Sequence, residues 1–185
     1  MSFISANAWD ESRILAGTRG GFPNFKGSVF DKRGFRGPVR NATVTTVAPT
    51  GTLSIIAGCS SGIEPFFALS YMRLALNGVE IPEVNPLVEE ISKEEGFYSP
   101  GLVDFVAKGG DIKERADVPE NIKDIFATAF EVSPEDHVVM QAAFQKYTDN
   151  AVSKTINLLP DTTPEDVKKA YLLAYKLGCK GITVY

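Results

Sequence analysis

The residues best suited to chemistry form one short run, Ala-Pro-Thr-Gly-Thr-Leu-Ser, at positions 48–54. Thr50 or Thr52 can cap a helix that begins here, because a hydroxyl satisfies amide donors that the first turn leaves open. The remaining amides and the helix dipole favour an anion, and Gly51 lets a phosphate oxygen approach the backbone. The run therefore predicts a phosphate site, although an ordinary strand-to-helix connection explains the same local features.

The elements around this run are predicted from its neighbours. Residues 42–48 are rich in β-branched side chains and carry no charge, which is typical of a strand. Leu53, Ile55 and Ile56 would give the following helix an apolar side, and Gly58 is suited to end it. The phosphate run would thus lie between a strand and a short helix.

Helices elsewhere are indicated by prolines at first-turn positions, by polar caps and by glycines at the ends. The predicted helices are residues 5–16 ended by Gly17, a helix from Pro86 closed by Gly96, residues 100–107, a helix from Pro119 through Phe126, a helix from Ser133 to about Tyr147, and a helix from Thr163 that stops before Gly178. In the helix from Ser133, the residues expected to face inward are Val139, Ala142, Ala143 and Phe144.

Further strands are predicted at 150–158 and 179–185, and Asn77-Gly78 predicts a hairpin between strands 68–76 and 79–84. The order strand, helix, strand, helix, strand predicts a mostly parallel sheet covered by helices. The fold class is therefore α/β, with a β-hairpin and a helical insert between residues 85 and 130.

The phosphate run also resembles the substrate-phosphate loop of ribonucleotide reductases, most closely of their adenosylcobalamin-dependent (class II) branch. Further stretches resemble this family in the expected order, and they are residues 22–25, 62–65, 140–157 and 177–185. The resemblance implies a single domain over residues 1–185. It would be part of a ten-stranded α/β barrel built from two half-sheets, namely the later strands of the second half-barrel.

The same resemblance implies a set of residues for the substrate phosphates. Backbone amides and hydroxyls would come from Thr50, Gly51, Thr52, Leu53 and Ser54. Asn41 and Glu64 flank this set without an assigned role, and Tyr185 is expected to serve packing. No residue of the chain is predicted to be catalytic and none to bind a metal.

The activity implied by the resemblance is the radical reduction of a ribonucleotide to a 2′-deoxyribonucleotide, with adenosylcobalamin as cofactor. The family places its radical cysteine in a loop of the type Asn-Pro-Cys-Gly-Glu, which this sequence lacks. Cys59 and Cys179 lie in other segments and are expected to be small buried residues. The chain alone should therefore be inactive. Its implied partners are the N-terminal part of the reductase, the ribonucleotide and a thioredoxin-type reductant.

Two other functions fit the same residues. The chain could be a non-catalytic module that binds nucleotide or phosphate, or a structural subunit that completes the barrel of another chain. Adding the N-terminal half and assaying for deoxynucleotide would separate these from a reductase component.

Composition and charge exclude several classes of protein. The 185 residues include 19 basic and 23 acidic side chains, for a net charge of −4, and no basic block indicates a nucleic-acid partner. No apolar run approaches the roughly 20 residues of a membrane span, and the N-terminus does not resemble a signal peptide. These features predict a cytoplasmic protein. The single histidine, His137, is expected at the surface or in light packing.

Overall fold

The computed structural model describes residues 1–32, 37–74 and 80–185. Along the chain the elements are α1 (Ser2–Arg19), α2 (Val29–Lys32), α3 (Gly51–Ala57), β1 (Ser70–Leu74), β2 (Glu80–Val84), α4 (Pro86–Glu94), α5 (Pro100–Ala107), a 3₁₀ turn (Ile112–Glu114), α6 (Glu120–Lys123), α7 (Pro134–Gln145), β3 (Thr155–Ile156), α8 (Pro164–Lys176) and β4 (Thr183–Val184).

The chain divides into two compact units. The split unit combines Met1–Ile63 with Ser133–Tyr185, and the inserted unit is Glu64–Val132. The single domain expected over residues 1–185 stays a prediction.

Helices α4, α5, α7 and α8 begin where the sequence predicts, because each start is fixed by local chemistry. A polar side chain stands directly before a proline and accepts a hydrogen bond from a first-turn amide. These capping residues are Asn85, Ser99, Ser133 and Thr163, which accept from the amides of Leu87, Leu102, Asp136 and Asp166.

Helices α1 and α6 differ from their predicted bounds, and α1 begins at Ser2 and not at residue 5. Helix α1 does not end at Gly17 but continues to Arg19, where Gly20 takes φ 74° and its amide donates to Ala16 O. Gly17 weakens a helix without ending it, since only the residue after the last turn needs the left-handed conformation. The helix expected from Pro119 through Phe126 is only the four residues of α6.

The strands are shorter than predicted. β3 pairs with β4 in parallel, with Thr155 opposite Thr183 and Ile156 opposite Val184. Of the strand expected at 42–48, only Val47 pairs, in a parallel bridge to Val152. Parallel pairing is confirmed for β3 with β4 and for the Val47–Val152 bridge. The strands expected at 42–48, 150–158 and 179–185 are wrong in extent, because pairing depends on distant partners that local composition does not encode.

The predicted hairpin is present as the antiparallel pair β1 and β2, in which Ser70 lies opposite Val84 and Leu74 opposite Glu80. The turn predicted at Asn77-Gly78 lies outside the described residues. Among those residues, no helix combines the length and the apolar character that crossing a membrane requires.

The inserted unit has an apolar core beneath α4, α5 and α6. Its buried members are Val88, Leu102, Val106, Ile112, Val118, Ile122 and Phe126. In the split unit a smaller cluster lies between α7, α8 and the parallel strands, and it contains Val138, Ile156, Ala170 and Ala174. The helical insert predicted from the sequence is thus confirmed as helices with a core of their own.

The inward face of α7 differs from the prediction. Val139 is 51% exposed, whereas His137, Gln141 and Gln145, spaced at four-residue intervals, are buried. Residues four apart lie on one side of a helix, so a polar stripe faces inward beside Val138, which is also buried. Of the other residues expected there, Ala142 and Phe144 are half-buried and Ala143 is exposed.

Candidate functional site

The phosphate run lies at the start of α3 in the split unit. Val47 is held by its bridge to Val152 and by a hydrogen bond of 2.9 Å from the Ser153 amide to Val47 O. Three residues later the chain turns sharply at Thr50, a residue other than glycine that adopts the left-handed conformation with φ 53°. Such a backbone is uncommon for a β-branched residue and is tolerated where surrounding contacts enforce it.

The Thr50 side chain makes one of the contacts that hold this backbone conformation. Its Oγ1 accepts a hydrogen bond of 2.9 Å from the Gly62 amide, and it makes no capping bond to α3. The expectation that Thr50 or Thr52 caps this helix is therefore wrong. The hydroxyl of Thr50 closes the loop between residues 50 and 62 instead.

Gly62 lies close to the backbone on the other side of this loop. Its φ is 57°, and a Cβ at this position would come within 3.1 Å of Ala48 O. The position requires glycine for both reasons. The turn is thus closed from two sides, by the Val47–Val152 bridge and by Gly62.

The first turn of α3 leaves its amides open. The amides of Gly51, Thr52 and Leu53 precede the first intrahelical bond, which runs from Ser54 N to Thr50 O at 2.9 Å, and such amides have no partner within a helix. All three residues are exposed. The Ser54 hydroxyl already donates to Gly51 O at 2.7 Å, so its oxygen is left as an acceptor.

Gly51 is not required by the fold. It lacks a positive φ, and a Cβ built on it would meet no heavy atom within 4 Å among the described residues. A glycine in the first helical turn costs stability relative to alanine, and the contacts of the split unit do not demand it. The space beside its backbone is free for an atom of a ligand.

The apolar side of α3 is open to solvent in this chain. Leu53 is 64% exposed, Ile55 82% and Ile56 78%. The expected end of the helix is confirmed, since Gly58 follows with φ 65° and Cys59 N donates to Ser54 O at 3.1 Å. The helix therefore presents both open amides and an uncovered apolar surface.

The cysteines and the histidine differ from expectation. Cys59 is exposed, so its predicted burial is wrong, whereas Cys179 is partly buried and that burial raises the pKa of its thiol.

His137 is only 1% exposed, with Nδ1 2.7 Å from the Lys154 ammonium nitrogen, which also donates to Thr155 O. A surface role for His137 is therefore wrong. Its spacing of four and eight residues from the two buried glutamines is the signal that sequence reasoning missed.

The flanking residues Asn41 and Glu64 belong to different units of the fold. The amide of Asn41 donates to Ser12 Oγ at 3.0 Å, and the Ser12 hydroxyl donates to Asn41 Oδ1 at 3.1 Å, which ties Asn41 to α1. Glu64 is the first residue of the inserted unit. The Tyr185 side chain is 77% exposed, so the expectation that it packs is wrong in this chain.

The inserted unit has a cleft of about 340 Å³. Phe67, Val106, Ile112 and Phe126 form apolar walls, and Glu131 lies at its edge. The Glu131 carboxylate accepts from both the amide and the hydroxyl of Thr128. Glu131 and Thr128 are therefore occupied by contacts within the unit.

Comparison with known proteins identifies relatives over the whole chain. Residues 31–185 match the family model described as ribonucleotide reductase, barrel domain. A vitamin B12-dependent ribonucleoside-diphosphate reductase of Thermoplasma acidophilum is 53% identical over 185 residues, which are all of this chain and 24% of that protein. A protein of the same description from Mycobacterium tuberculosis is 44% identical over the full chain and 26% of its own length.

A solved structure has the same fold. The class Id ribonucleotide reductase alpha subunit of Actinobacillus ureae superposes with a TM-score of 0.77 at 25% sequence identity, covering 98% of this chain and 32% of that one. The chain thus spans about a quarter of the length of the curated relatives it matches.

Proposed function

Because the chain belongs to the ribonucleotide reductase family by its barrel domain, we propose that it is the part of a vitamin B12-dependent ribonucleotide reductase that holds the substrate phosphates. The complete enzyme would convert ribonucleotides to 2′-deoxyribonucleotides. The relatives from Thermoplasma acidophilum and Mycobacterium tuberculosis are named diphosphate reductases, which favours a ribonucleoside diphosphate as substrate.

The observation that carries this proposal is the geometry of the first turn of α3. The open amides of Gly51, Thr52 and Leu53 point the positive end of the helix dipole toward solvent, as anion-binding helix termini do. The unfilled space at Gly51 lets a phosphate oxygen reach the backbone. Thr50 completes the proposed site by its hydroxyl group, which still has a proton to donate. The Ser54 hydroxyl would join it by turning its proton from Gly51 O to the phosphate.

We place the radical chemistry in the remainder of the enzyme. The sequence contains no Asn-Pro-Cys-Gly-Glu loop, and Cys59 and Cys179 lie outside the segments in which the family carries its radical and redox cysteines. The N-terminal part of the reductase would supply the radical cysteine, and a thioredoxin-type reductant would restore the redox pair. The setting we propose for the enzyme is the cytoplasm.

Adenosylcobalamin is the cofactor we propose for the complete enzyme, because the relatives are named vitamin B12-dependent. Two features of this chain do not fit the cofactor. The one histidine in the sequence is buried against Lys154, so it would not be available to hold the cofactor. The cleft of about 340 Å³ in the inserted unit is at the small end even for drug-sized ligands. We therefore place the cofactor site in the remainder of the enzyme.

A second function, completion of another chain's barrel without nucleotide binding, is favoured by one observation. The apolar side of α3 is uncovered at Leu53, Ile55 and Ile56, which is typical of a surface that another part of the protein covers. This function and the proposed one differ in whether nucleotide binding depends on the turn at Gly51.

The test is Gly51→Val in the complete reductase, with binding of the ribonucleoside diphosphate measured by calorimetry. Valine fits the fold sterically, because no described atom lies near its Cβ, but it fills the space of a phosphate oxygen. We expect a far greater loss of affinity than from Thr52→Ala, which removes one hydroxyl bond worth about 0.5–1.5 kcal/mol, or up to about 3 kcal/mol to a charged group. Thr50→Ala should cost a similar amount or slightly more, because it also removes the bond to Gly62.

The matched control is Gly17→Val, at another glycine within a helix that has no heavy atom within 4 Å of its Cβ position. It makes the same substitution in a helix, at a position where the new Cβ also has room, and should leave nucleotide affinity unchanged. Equal affinity in wild type and folded Gly51→Val would contradict the proposal and favour the barrel-completing function.

The chain alone should yield no deoxynucleotide from ribonucleotide, adenosylcobalamin and a dithiol, because it lacks the radical loop. The assay needs protein free of host reductase and a blank without protein. Product above that blank would contradict this part of the proposal.

A further inference from the structure

We propose that Asp149 is a positioning residue for the phosphate turn, which it holds through the segment that leads into it. This inference rests on the function proposed for Thr50–Ser54. It adds a residue that fixes the position of the backbone amides in that turn. Asp149 follows α7, more than a hundred positions away from the segment that it binds.

A single carboxylate oxygen makes the contact. Asp149 Oδ2 accepts from the amide of Val44 at 2.8 Å and from the amide of Thr45 at 3.1 Å. The Thr45 hydroxyl lies 3.2 Å from the same oxygen and 3.4 Å from Tyr147 O, and its one proton serves one of these acceptors at a time. Convergence of backbone donors on one charged oxygen is a strong arrangement, since such bonds are about twice as strong as neutral ones.

Backbone amides of the loop that contains Asp149 also donate hydrogen bonds to Thr45. The amide of Asp149 donates to Thr45 Oγ1 at 2.9 Å, and the amide of Asn150 donates to Thr45 O at 3.1 Å. Thr45 is 6% exposed. The residue is thus fixed by its side chain, its amide and its carbonyl, all toward the same loop.

The fixed segment leads directly to the turn. From Thr45 the chain runs to Val47, which the bridge to Val152 and the Ser153 amide hold in place. Pro49 and Thr50 follow without another element between them. Within the described part of the chain, the turn beyond Thr50 is secured by the Gly62 contact and by α3 itself, whose residues are largely exposed. A change at Asp149 would therefore move the open amides relative to a bound phosphate.

The test measures the inhibition constant of inorganic pyrophosphate against the ribonucleotide in the complete reductase, together with the thermal midpoint. Asp149→Ala should raise the inhibition constant by about tenfold, since two amides lose their acceptor. Asp149→Asn should raise it by about threefold, because a neutral amide oxygen is a weaker acceptor. The matched control Asp161→Ala, at an exposed residue between β3 and α8, should leave it unchanged.

A second pair of variants keeps the inference testable if Asp149→Ala does not fold. Thr45→Val removes the hydroxyl and should raise the inhibition constant several-fold. Thr45→Ser keeps the hydroxyl and should restore nearly wild-type inhibition. A residue with only a structural role would lower the thermal midpoint and leave pyrophosphate inhibition of the folded enzyme as in wild type, which would overturn the inference.

The outcome for Gly51→Val separates this inference from the function on which it rests. If Gly51→Val weakens pyrophosphate binding and folded Asp149→Ala does not, the turn binds phosphate and the role of Asp149 is wrong. If Gly51→Val has no effect, the turn is not the phosphate site, and both conclusions fall whatever Asp149→Ala does.

Discussion

The inserted unit and the split unit bury different kinds of side chain beneath their helices. In the inserted unit, α5 covers an apolar core with Leu102 and Val106, which are 0% and 1% exposed. In the split unit, α7 buries the polar residues His137, Gln141 and Gln145 and one apolar residue, Val138. The two helices are alike in their starts, each with a serine cap before a proline, so the difference lies in what each helix has to cover.

What α7 covers is backbone that is not paired in a strand. Gln141 Nε2 donates to Gly181 O at 2.7 Å and to Val152 O at 3.3 Å. Gln145 Nε2 donates to the carbonyl oxygens of Thr148 and Asn150 at 2.9 and 2.8 Å. Buried carbonyl groups need donors, and with β3 and β4 only two residues long, the glutamines supply them. The comparison shows that a helix over short strands can require polar residues inward.

The largest difference in stability between the two units should come from Leu102→Ala. It leaves a cavity in the apolar core, and such changes cost about 2–5 kcal/mol. We expect the free energy of opening, measured by hydrogen exchange of the α5 amides, to fall by this amount while that of the α7 amides changes little. Equal losses in both helices would contradict the description of two cores.

A smaller loss should follow from Gln141→Leu, which fills the same volume without a donor. Each carbonyl left without a partner costs about 1–3 kcal/mol. Leucine also removes Gln141 Oε1, which has no hydrogen-bond partner among the described residues, and that offsets part of the cost. We expect a net loss of about 2 kcal/mol in the opening free energy of α7.

The control for this variant is Val139→Ala on the exposed side of the same helix, which should change the opening free energy by less than about 0.5 kcal/mol. If Gln141→Leu proved neutral or stabilising, the glutamines would not be replacing strand hydrogen bonds, and the contrast between the units would be one of composition only.

The smallest expected effect is on the pH dependence of the stability of α8. The carboxylate of Asp166 is bonded by Lys169, then by the hydroxyl and amide of Thr163, and its pKa is lowered from 3.8 to about 2. A lowered pKa means that the stabilisation of α8 is complete above about pH 3.8 and is lost as the pH falls through about 2. The caps of α4 and α5 in the inserted unit, Asn85 and Ser99, are uncharged, so they add no such dependence.

Asp166→Asn tests this point. The thermal midpoints of wild type and variant should differ at neutral pH and converge as the pH is lowered from 4 toward 2, because wild-type Asp166 loses its charge in that range. A constant difference across this range would mean that the charge of Asp166 does not contribute.

Local chemistry made the helix starts predictable from the sequence. Ser99-Pro100 and Thr163-Pro164 define their helices because the cap, the proline and the first-turn amides lie within a few residues of one another. The strands were not predictable in extent, since the single bridge of Val47 depends on Val152, about a hundred residues away. The polar stripe of α7 was missed for a similar reason, because its acceptors are loop carbonyls that only the folded chain brings near.

The candidate site was predictable in position but not in detail. The resemblance and the turn residues located the run from Thr50 to Ser54. The left-handed Thr50 and its bond to Gly62 were not predictable, because a threonine in this conformation contradicts its local preference. Asp149 was not singled out either, since nothing near it in sequence indicates that its carboxylate binds Val44 and Thr45.

The most direct measurement of the central claim is amide hydrogen exchange at Gly51, Thr52 and Leu53 in the complete reductase. It should be recorded without ligand, with a saturating ribonucleoside diphosphate, and with the same ribonucleoside lacking phosphates. If these amides hold the substrate phosphates, the diphosphate slows their exchange and the nucleoside does not. Exchange that stays the same with and without the diphosphate, at concentrations that saturate the enzyme, would contradict the claim that this turn binds the substrate.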